Sequence, residues 1–370
     1  MIRRAAAPAL LAVLVAACSS PAGRQATSTP DAIGTQGPSP TRAAVTPTPL
    51  AAPTSTPTPA AVLPGEPWIV YQAQGADWFG IHVVRTDGTD AQAPLADVPG
   101  TVQEHPDWSP DGTRLAFTVT EAEDAGGETE DVWIAEVGGW RAEKLVDCEA
   151  PCMWVDEPAW SPDGRSIVFH RLVEESGMSA STLEIMDMAK RETRVVLTAP
   201  TGQAVLAPRW SPDGRSVVVE VLQLADGTPG AAVAGSGLGV IDLGAATPSI
   251  RAIVPVDRFA NNPDWSPAGD LIVCSAPAEG GEPGGKRSDL WVVRPDGTGL
   301  TQVTDLAAAG GMAIQPTFTP DGERIVFVMD DFEKAAFGII GEVRVDGSGL
   351  GPATTGPAVT GIHPRLRPTP

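Results

Sequence analysis

The chain has 370 residues, with 46 acidic against 25 basic side chains and a formal net charge of −21. Such an acidic protein repels the phosphates of nucleic acid and the headgroups of anionic lipid, so composition excludes both as general binding partners. The 40 glycines and 37 prolines indicate many turns between short segments, rather than long helices.

The first 17 residues have the organisation of a signal peptide. Arg3 and Arg4 form a positive end, and Ala9–Ala17 form an apolar segment too short to span a bilayer. The junction VAAC, which ends at Cys18, resembles the site at which bacterial lipoproteins are cleaved and lipidated. That resemblance implies that Cys18 becomes the acylated N-terminus and that lipid alone anchors the protein outside the cytoplasmic membrane. The alternative is an ordinary secretory signal with an incidental cysteine.

Residues 18–64 predict a disordered tether that follows the lipidated cysteine. The stretch is rich in Pro, Thr and Ala, as in TPTPLAAPTSTPTP, and Asp31 is its only acidic residue. It has too few apolar side chains to fold, and an extended polyproline conformation reaches at most about 140 Å at ~3.1 Å per residue. An O-glycosylated stalk is the alternative.

Residues 65–370 form the predicted folded part, with a net charge of −24 from 45 acidic and 21 basic residues. One twelve-residue pattern occurs there five times, and its aromatic residues are 50 to 55 positions apart, a spacing typical of repeated blades. The copies are PDWSPDGTRLAF from Pro106, PAWSPDGRSIVF from Pro158, PRWSPDGRSVVV from Pro208, PDWSPAGDLIVC from Pro263 and PTFTPDGERIVF from Pro316.

Each copy predicts a strand, a tight turn and a second strand. In Ser-Pro-Asp-Gly, proline presets φ, the Asp side chain bonds to nearby backbone, and glycine accepts a positive φ. Most units contain a second hairpin further on, such as LWVVRPDGTGLTQVT from Leu290. Four short strands in about fifty residues, without a helical pattern, are typical of a β-propeller blade.

The two ends of residues 65–370 predict how many blades there are. Residues 66–100 contain a strand and a hairpin but lack the motif strand that precedes them in other units. The C-terminal IHPRLRP places Pro364 and Leu366 where other copies have Pro and Trp. We therefore expect an all-β, six-bladed β-propeller in which the C-terminal strand joins and closes the first blade.

These repeats resemble those of a known family. PDWSPDGTRLAF and PAWSPDGRSIVF are similar to the WD40-like repeats of the TolB-type six-bladed propeller family, over nearly all of residues 66–370. The fourth copy departs from the pattern with Ala268 in place of Asp, and the first and last units are partial. The resemblance implies the fold rather than one function, because this fold serves many functions.

The cysteines beyond the signal have separate expected roles. Cys148 and Cys152 lie close together in DCEAPCMW, and we expect them to form a disulfide outside the cytoplasm. Cys274 takes the apolar last position of its motif copy, so we expect a buried thiol.

The residue immediately before each motif proline, here called the rim position, is the candidate binding site. It is mostly polar, which is unusual for a buried inner strand but natural at the rim of a central channel. The candidate rim residues are His105, Glu157, Asn262, Gln315 and His363, with Ala207 at the same position of the third copy. His363, His105 and Glu157 fall in three consecutive blades, so they are also candidate ligands of zinc or a similar divalent ion. Polar residues that merely solvate the channel are the alternative.

The sequence favours a binding module over an enzyme. It contains no Gly-x-Ser-x-Gly, no Ser-x-x-Lys, no Walker loop and no complete Gly-x-Gly-x-x-Gly. We expect a monomeric, non-catalytic, lipid-anchored module at the cell envelope that binds an envelope protein, a peptide or a glycan and needs no cofactor. The alternatives are a lyase or hydrolase that acts on glycans at a propeller face, and a structural wall protein.

Overall fold

The computed structural model describes residues 66–74, 79–95, 98, 102–122, 128–175, 178–225, 232–279, 281, 287–330 and 338–368. The predicted signal, Cys18 and the tether lie outside the described residues. Within them the protein is all-β, with two three-residue 3-10 helices at Val256–Arg258 and Ala307–Ala309. The described part of the chain contains no helix that is long and apolar enough to cross a membrane.

The strands are short and follow one another at tight turns. In chain order they are β1 Trp68–Gln74, β2 Phe79–Arg85, β3 Val102–Trp108, β4 Arg114–Ala122, β5 Glu128–Glu136, β6 Arg141–Val146, β7 Cys152–Trp160, β8 Ser166–Glu175, β9 Met178–Asp187, β10 Glu192–Thr198, β11 Gln203–Trp210, β12 Ser216–Leu224, β13 Val233–Asp242, β14 Ile250–Val254, β15 Asn261–Trp265, β16 Ile272–Ala276, β17 Asp289–Val293, β18 Thr301–Gln302, β19 Met312–Phe318, β20 Arg324–Asp330, β21 Ile339–Arg344, β22 Gly351–Pro352 and β23 Ile362–Leu366.

The strands form five sheets. Four are antiparallel meanders of four consecutive strands each: β7–β10, β11–β14, β15–β18 and β19–β22. The fifth has seven strands in the order β23-β1-β2-β3-β4-β5-β6. Within it, β3–β6 is a meander like the other four, joined to β2 by one parallel pair between Phe79 and Val102. The strand β23 pairs antiparallel with β1, with Leu366 opposite Ile69.

The repeated Ser-Pro-Asp-Gly sequence forms the same turn between first and second strands. In the first copy the Gly112 N–H donates to the Ser109 carbonyl at 2.8 Å, and Gly112 has a φ of +64°. Asp111 Oδ1 accepts from the Thr113 N–H at 3.0 Å and from Ser109 Oγ at 2.6 Å. The hydroxyl of Ser109 in turn accepts from the N–H of Arg114 at 2.9 Å. This network explains why Ser, Asp and Gly recur together in the motif.

The fourth copy compensates for its missing aspartate. Ala268 cannot accept a hydrogen bond, and Ser266 Oγ instead donates to Asp270 Oδ1, two residues further on, at 2.9 Å. The turn therefore keeps its side-chain acceptor, and Gly269 keeps its positive φ of +75°.

The motif aromatic residues pack between neighbouring sheets. Trp160 lies in a cluster with Ala116 and Ile134 of the preceding sheet and with Ile167 and Phe169 of its own. Trp108, Trp160, Trp265 and Phe318 are at most 9% exposed, whereas Trp210 is only half-buried. The repeat thus places one large side chain at each of these sheet–sheet contacts.

The cysteines lie in two different environments. Cys148 and Cys152 are joined by a disulfide at the start of β7. Cys274 is a free, buried thiol in β16, and burial raises its pKa to about 12. That thiol is therefore inert at neutral pH.

Candidate functional site

The rim position has the same unusual backbone in every copy. Six non-glycine residues there adopt a left-handed φ of 47° to 55°: His105, Glu157, Ala207, Asn262, Gln315 and His363. Beside each of them the pairing of the inner strand shifts register, as at a β-bulge. Left-handed backbone costs a non-glycine residue on the order of 1 kcal/mol. Since Ala207 also adopts it, the bulge belongs to the fold, and any chemistry of the site lies in the side chains.

Rim side chains from copies that are far apart in sequence touch one another. Gln315 Oε1 accepts from the N–H of His363 at 2.9 Å, and Gln315 Nε2 lies 2.9 Å from His363 Nε2. The rings of His363 and His105 meet edge to face, with centroids 4.2 Å apart. His105 Nε2 lies 4.0 Å from Glu157 Oε1. We call this series, Gln315–His363–His105–Glu157, the rim row.

The two remaining rim residues, Ala207 and Asn262, donate their backbone N–H groups to glutamate side chains. Glu157 Oε2 accepts a short hydrogen bond from the N–H of Ala207. The N–H of Asn262 donates to Glu220 Oε2 at 3.2 Å. Four of the five polar rim residues predicted from the sequence therefore share one row, and Asn262 lies beside a different carboxyl group.

His105 forms a buried ion pair with a residue outside the rim position. His105 Nδ1 lies 2.8 Å from Asp156 Oδ1, and the two side chains are 12% and 7% exposed. Burial by itself lowers the pKa of His105, but the carboxylate of Asp156 outweighs it and raises that pKa to about 10. Burial alone would raise the pKa of Asp156, but the charge of His105 outweighs burial and holds that pKa well below its usual range. With these two pKa shifts, His105 and Asp156 are both charged at neutral pH and form an ion pair.

His363 is the neutral partner in the row. Burial and the positive charge of His105 hold the pKa of His363 well below its usual value. A neutral ring with the proton on Nδ1 leaves Nε2 as an acceptor for the amide of Gln315, whose oxygen already accepts from the His363 backbone. The row therefore alternates an amide, a neutral imidazole, a charged imidazole and a carboxylate.

Two carboxyl groups near the ion pair hold their protons unusually tightly. Burial raises the pKa of Glu104 to about 7, against the opposing charge of His105. Burial and the charge of Asp156 raise the pKa of Glu130 well above its usual value. Glu157 differs, because the close approach of His170 Nδ1, 3.3 Å from Glu157 Oε2, and the charge of His105 outweigh burial and lower its pKa. Ionised and protonated carboxyl groups thus lie side by side in this region.

A second group of charges lies two residues after the rim position. Arg365 Nη1 lies 3.5 Å from Asp264 Oδ2, and Arg365 Nε lies 3.9 Å from Asp107 Oδ1. Asp107 Oδ2 accepts from the N–H of Trp160 at 2.7 Å, and Asp264 Oδ2 accepts from that of Phe318 at 2.9 Å. Each of these aspartates thereby links its own copy to the next, and Arg365 links copies far apart in sequence.

The sequence analysis missed a layer of polar residues behind the rim. They occupy one equivalent position in the second strand of their units, and all are buried: Gln72, Thr118, His170, Glu220 and Ser275. Thr118 Oγ1 donates to Asp156 at 2.5 Å, and His170 Nδ1 lies 3.3 Å from Glu157 Oε2. A charged residue inside an apolar run, as in SVVVEVLQL, is the signal that could have revealed this layer.

Glu220 gives this layer a testable pH dependence. Burial raises its pKa from 4.5 to about 8, although Ser236 Oγ donates to it at 2.8 Å. A carboxyl whose folded-state pKa is raised loses its stabilising contribution as the pH rises from 4.5 to about 8. Glu220→Gln cannot ionise, so we expect it to be more stable than the wild type by about 5 kcal/mol at pH 9 and similar to it at pH 5. Urea unfolding at the two pH values measures this; equal differences at both would contradict a raised pKa.

The three residues proposed as metal ligands lie near one another, but not around a common centre. His105 contacts both Glu157 and His363, as described above. Among the described residues, no group of three or more His, Cys, Asp or Glu side chains has the arrangement of a metal site. Metal binding by His105, Glu157 and His363 stays a prediction.

Comparison with known proteins agrees with this architecture. No protein-family model matches the sequence. A 63-residue segment is 41% identical to the uncharacterized peptidase YuxL of Bacillus subtilis, but it covers 17% of this chain and 8% of that protein. TolB from Acinetobacter baumannii superposes with a TM-score of 0.58 at 16% identity, over 81% of this chain and 66% of that one. A putative TolB from Agrobacterium tumefaciens gives 0.54 at 18% identity, over 81% and 91%. The chain has a TolB-like β-propeller fold.

Proposed function

We propose that this protein is a non-catalytic binding module in which six blades form a ring closed by β23 and the ligand docks at the rim row. The C-terminal segment supports closure because it repeats a contact that is found between the second and third copies. Trp108 Nε1 donates to the carbonyl of Arg365 at 3.2 Å, as Trp210 Nε1 does to that of Ala159. Arg367 Nε donates to the carbonyl of Gly112 at 2.9 Å. This agreement with the contact between the second and third copies supports the proposed closure.

The rim row is the observation that carries the proposed function. It gathers an amide, two imidazoles and a carboxylate from four copies, on bulges that hold each side chain out of the strand pairing. His105 and Glu157 each keep 12% of their side-chain surface accessible, so both side chains are in part open to a ligand. Such convergent polar groups suit a peptide end, a glycan or another small polar ligand.

Capture from envelope extracts tests this function. The full-length protein and its His105→Ala/His363→Ala variant are compared as bait, and bound proteins and glycans are identified. Alanine fits the rim backbone, because Ala207 already adopts it. His82→Ala, which removes an imidazole from β2, is the matched control. We expect the double variant to lose a ligand that the wild type and the control retain; equal capture by all three would overturn docking at the rim.

We also propose a lipid-anchored location outside the cytoplasmic membrane, at the cell envelope. The support is the VAAC junction at Cys18, the Pro/Thr-rich segment after it and the Cys148–Cys152 disulfide, which persists in oxidising compartments. Cys18→Ser should release the protein from the membrane fraction or block its processing. Unchanged fractionation of that variant would contradict a lipid anchor.

A glycan lyase or hydrolase is the second candidate, and the divergent acidities near His105 favour it. Glu104, with a pKa of about 7, can hold a proton at neutral pH while the nearby Asp156 is ionised. The test is incubation with envelope polysaccharides and assay of new reducing ends and unsaturated sugars. If the wild type turned over a polysaccharide and Glu104→Gln abolished that turnover, an enzymatic function would replace the binding proposal.

A divalent ion at His105, Glu157 and His363 is a further prediction. Metal binding would require His105 Nε2 to lose its proton; the contact between His105 Nδ1 and Asp156 would then orient the imidazole, with Nε2 towards Glu157. Metal analysis of the purified protein and zinc calorimetry test it, with the double histidine variant as control. No zinc uptake by the wild type would end the metal prediction.

A further inference from the structure

A groove lies between the sheet β7–β10 and the sheet β11–β14, away from the rim. It encloses about 530 Å³, and Ser166, Trp210 and Ile185 line its interior. Trp210 is the one motif aromatic residue among Trp108, Trp160, Trp210, Trp265 and Phe318 that is only half-buried. An indole ring is therefore accessible inside a cleft.

The preceding copy shows what covers the equivalent ring. The guanidinium of Arg114 lies over the ring of Trp160, 4.3 Å from its centroid. Arg114 is the first residue of β4, and Ser166 is the first residue of β8. The backbone N–H of each donates to the hydroxyl of its own motif serine at 2.9 Å, so the two positions are equivalent. The space that Arg114 fills over Trp160 is left open over Trp210, because Ser166 has a much shorter side chain.

The next copy shows that a serine at this position does not by itself open a groove. Ser216 is the equivalent residue there, but Trp265 is 9% exposed and packs in a cluster that includes Ile253 and Val254. The open indole face is thus a feature of the Trp210 interface and not of the repeat in general.

The charges around the groove favour a cation. Four acidic side chains line it, namely Asp163, Asp187, Glu192 and Asp213, against Lys190 and Arg194. Hydrogen bonds from Ser161 and Ser211 lower the pKa of Asp163 and Asp213, and backbone hydrogen bonds from Lys190 and Ala189 lower that of Asp187. These carboxylates are ionised at neutral pH, and the groove carries a net negative charge.

We propose that this groove binds an arginine side chain of a peptide or protein ligand, stacked on Trp210 as Arg114 is stacked on Trp160. A planar guanidinium can lie flat on an indole ring while its edge donates to carboxylates, which a compact ammonium group does less well. The site is separate from the rim row and does not depend on its function.

The test uses the full-length protein and acetyl-arginine-amide, with acetyl-citrulline-amide as the neutral probe of the same shape. The indole N–H signal of Trp210, assigned with Trp210→Phe, is followed by NMR during each titration. We expect a saturable shift at millimolar arginine probe and at least tenfold weaker binding of the citrulline probe. Equal binding of both probes, or no shift of the Trp210 signal, would overturn the proposal.

Arginine substitutions at two equivalent positions, Ser166 and Ser216, test the site further. Ser166→Arg supplies an internal guanidinium and should weaken probe binding at Trp210 at least tenfold, whereas Ser216→Arg, at the next interface, should leave it unchanged. Glu192→Gln removes one carboxylate from the groove and should weaken binding of the arginine probe at Trp210. Undiminished binding by a folded Ser166→Arg variant would contradict the site. If that variant does not fold, Glu192→Gln decides: undiminished binding of the arginine probe by Glu192→Gln would overturn the proposal.

Discussion

Replacing Asp156 with alanine is expected to lower the free energy of unfolding by about 3–5 kcal/mol at pH 6, as for other buried ion pairs that lose one partner. The change leaves the charged ring of His105 buried without its carboxylate. It also removes the acceptor for Thr118 Oγ1 and for the N–H of Glu157. Urea unfolding of the wild type and the variant measures the difference.

The pH dependence of this difference has a definite sign. The folded-state pKa of Asp156 is depressed, so its contribution is present above the ordinary value of 3.8 and is lost only in stronger acid. The folded-state pKa of His105 is raised to about 10, so its contribution is full below 6.5 and declines as the pH rises towards 10. The loss in Asp156→Ala should therefore be largest between about pH 4 and 6.5. A double-mutant cycle with His105→Ala is the control, and strict additivity of the two losses would contradict the pair.

Replacing Trp160 with alanine is expected to cost about 3–5 kcal/mol of unfolding free energy by leaving a cavity between two sheets. The ring is 6% exposed and packs against Ala116 and Ile134 of the preceding sheet. The substitution also removes the ring over which the guanidinium of Arg114 lies. Thermal and urea unfolding of the variant measure the effect.

Trp210→Ala is the matched control, because it removes the same side chain at the same position of the next copy. Trp210 is half-buried and borders the groove, so less packing is lost there. We expect a loss of unfolding free energy about half that of Trp160→Ala. Equal losses of unfolding free energy in the two variants would contradict the looser packing of Trp210 at the groove.

Much of this architecture could be predicted from the sequence, because turn chemistry and aromatic spacing are local signals. Ser-Pro-Asp-Gly defined the hairpins, and the structure forms them with the predicted side-chain hydrogen bonds. The pairing of β23 with β1 was expected because Pro364 and Leu366 keep the motif spacing. The hairpins need no knowledge of how distant segments meet, and the β23–β1 pairing was inferred from the repeat.

The candidate site could be predicted only in part, because its chemistry depends on contacts between copies. The rim position itself was visible from aligned polar residues before the motif proline. That His105 pairs with Asp156, rather than with another rim residue, follows from which neighbour lies within 2.8 Å, and alignment does not show this. The groove at Trp210 could not be predicted, because a serine stands at the equivalent position both there and beside the buried Trp265, and only the packing of each interface distinguishes the two.

The protonation states of the histidines test most directly whether distant copies form one coupled rim. The chain has four histidines, so their ring signals can be assigned by substitution and followed by NMR from pH 5 to 10. The rim row predicts that His105 stays protonated until the pH approaches 10, while His363 stays neutral across the whole range. If both rings instead titrated independently near pH 6.5, the ordinary value for histidine, His105 would not be paired with Asp156 and the rim row would not exist as described.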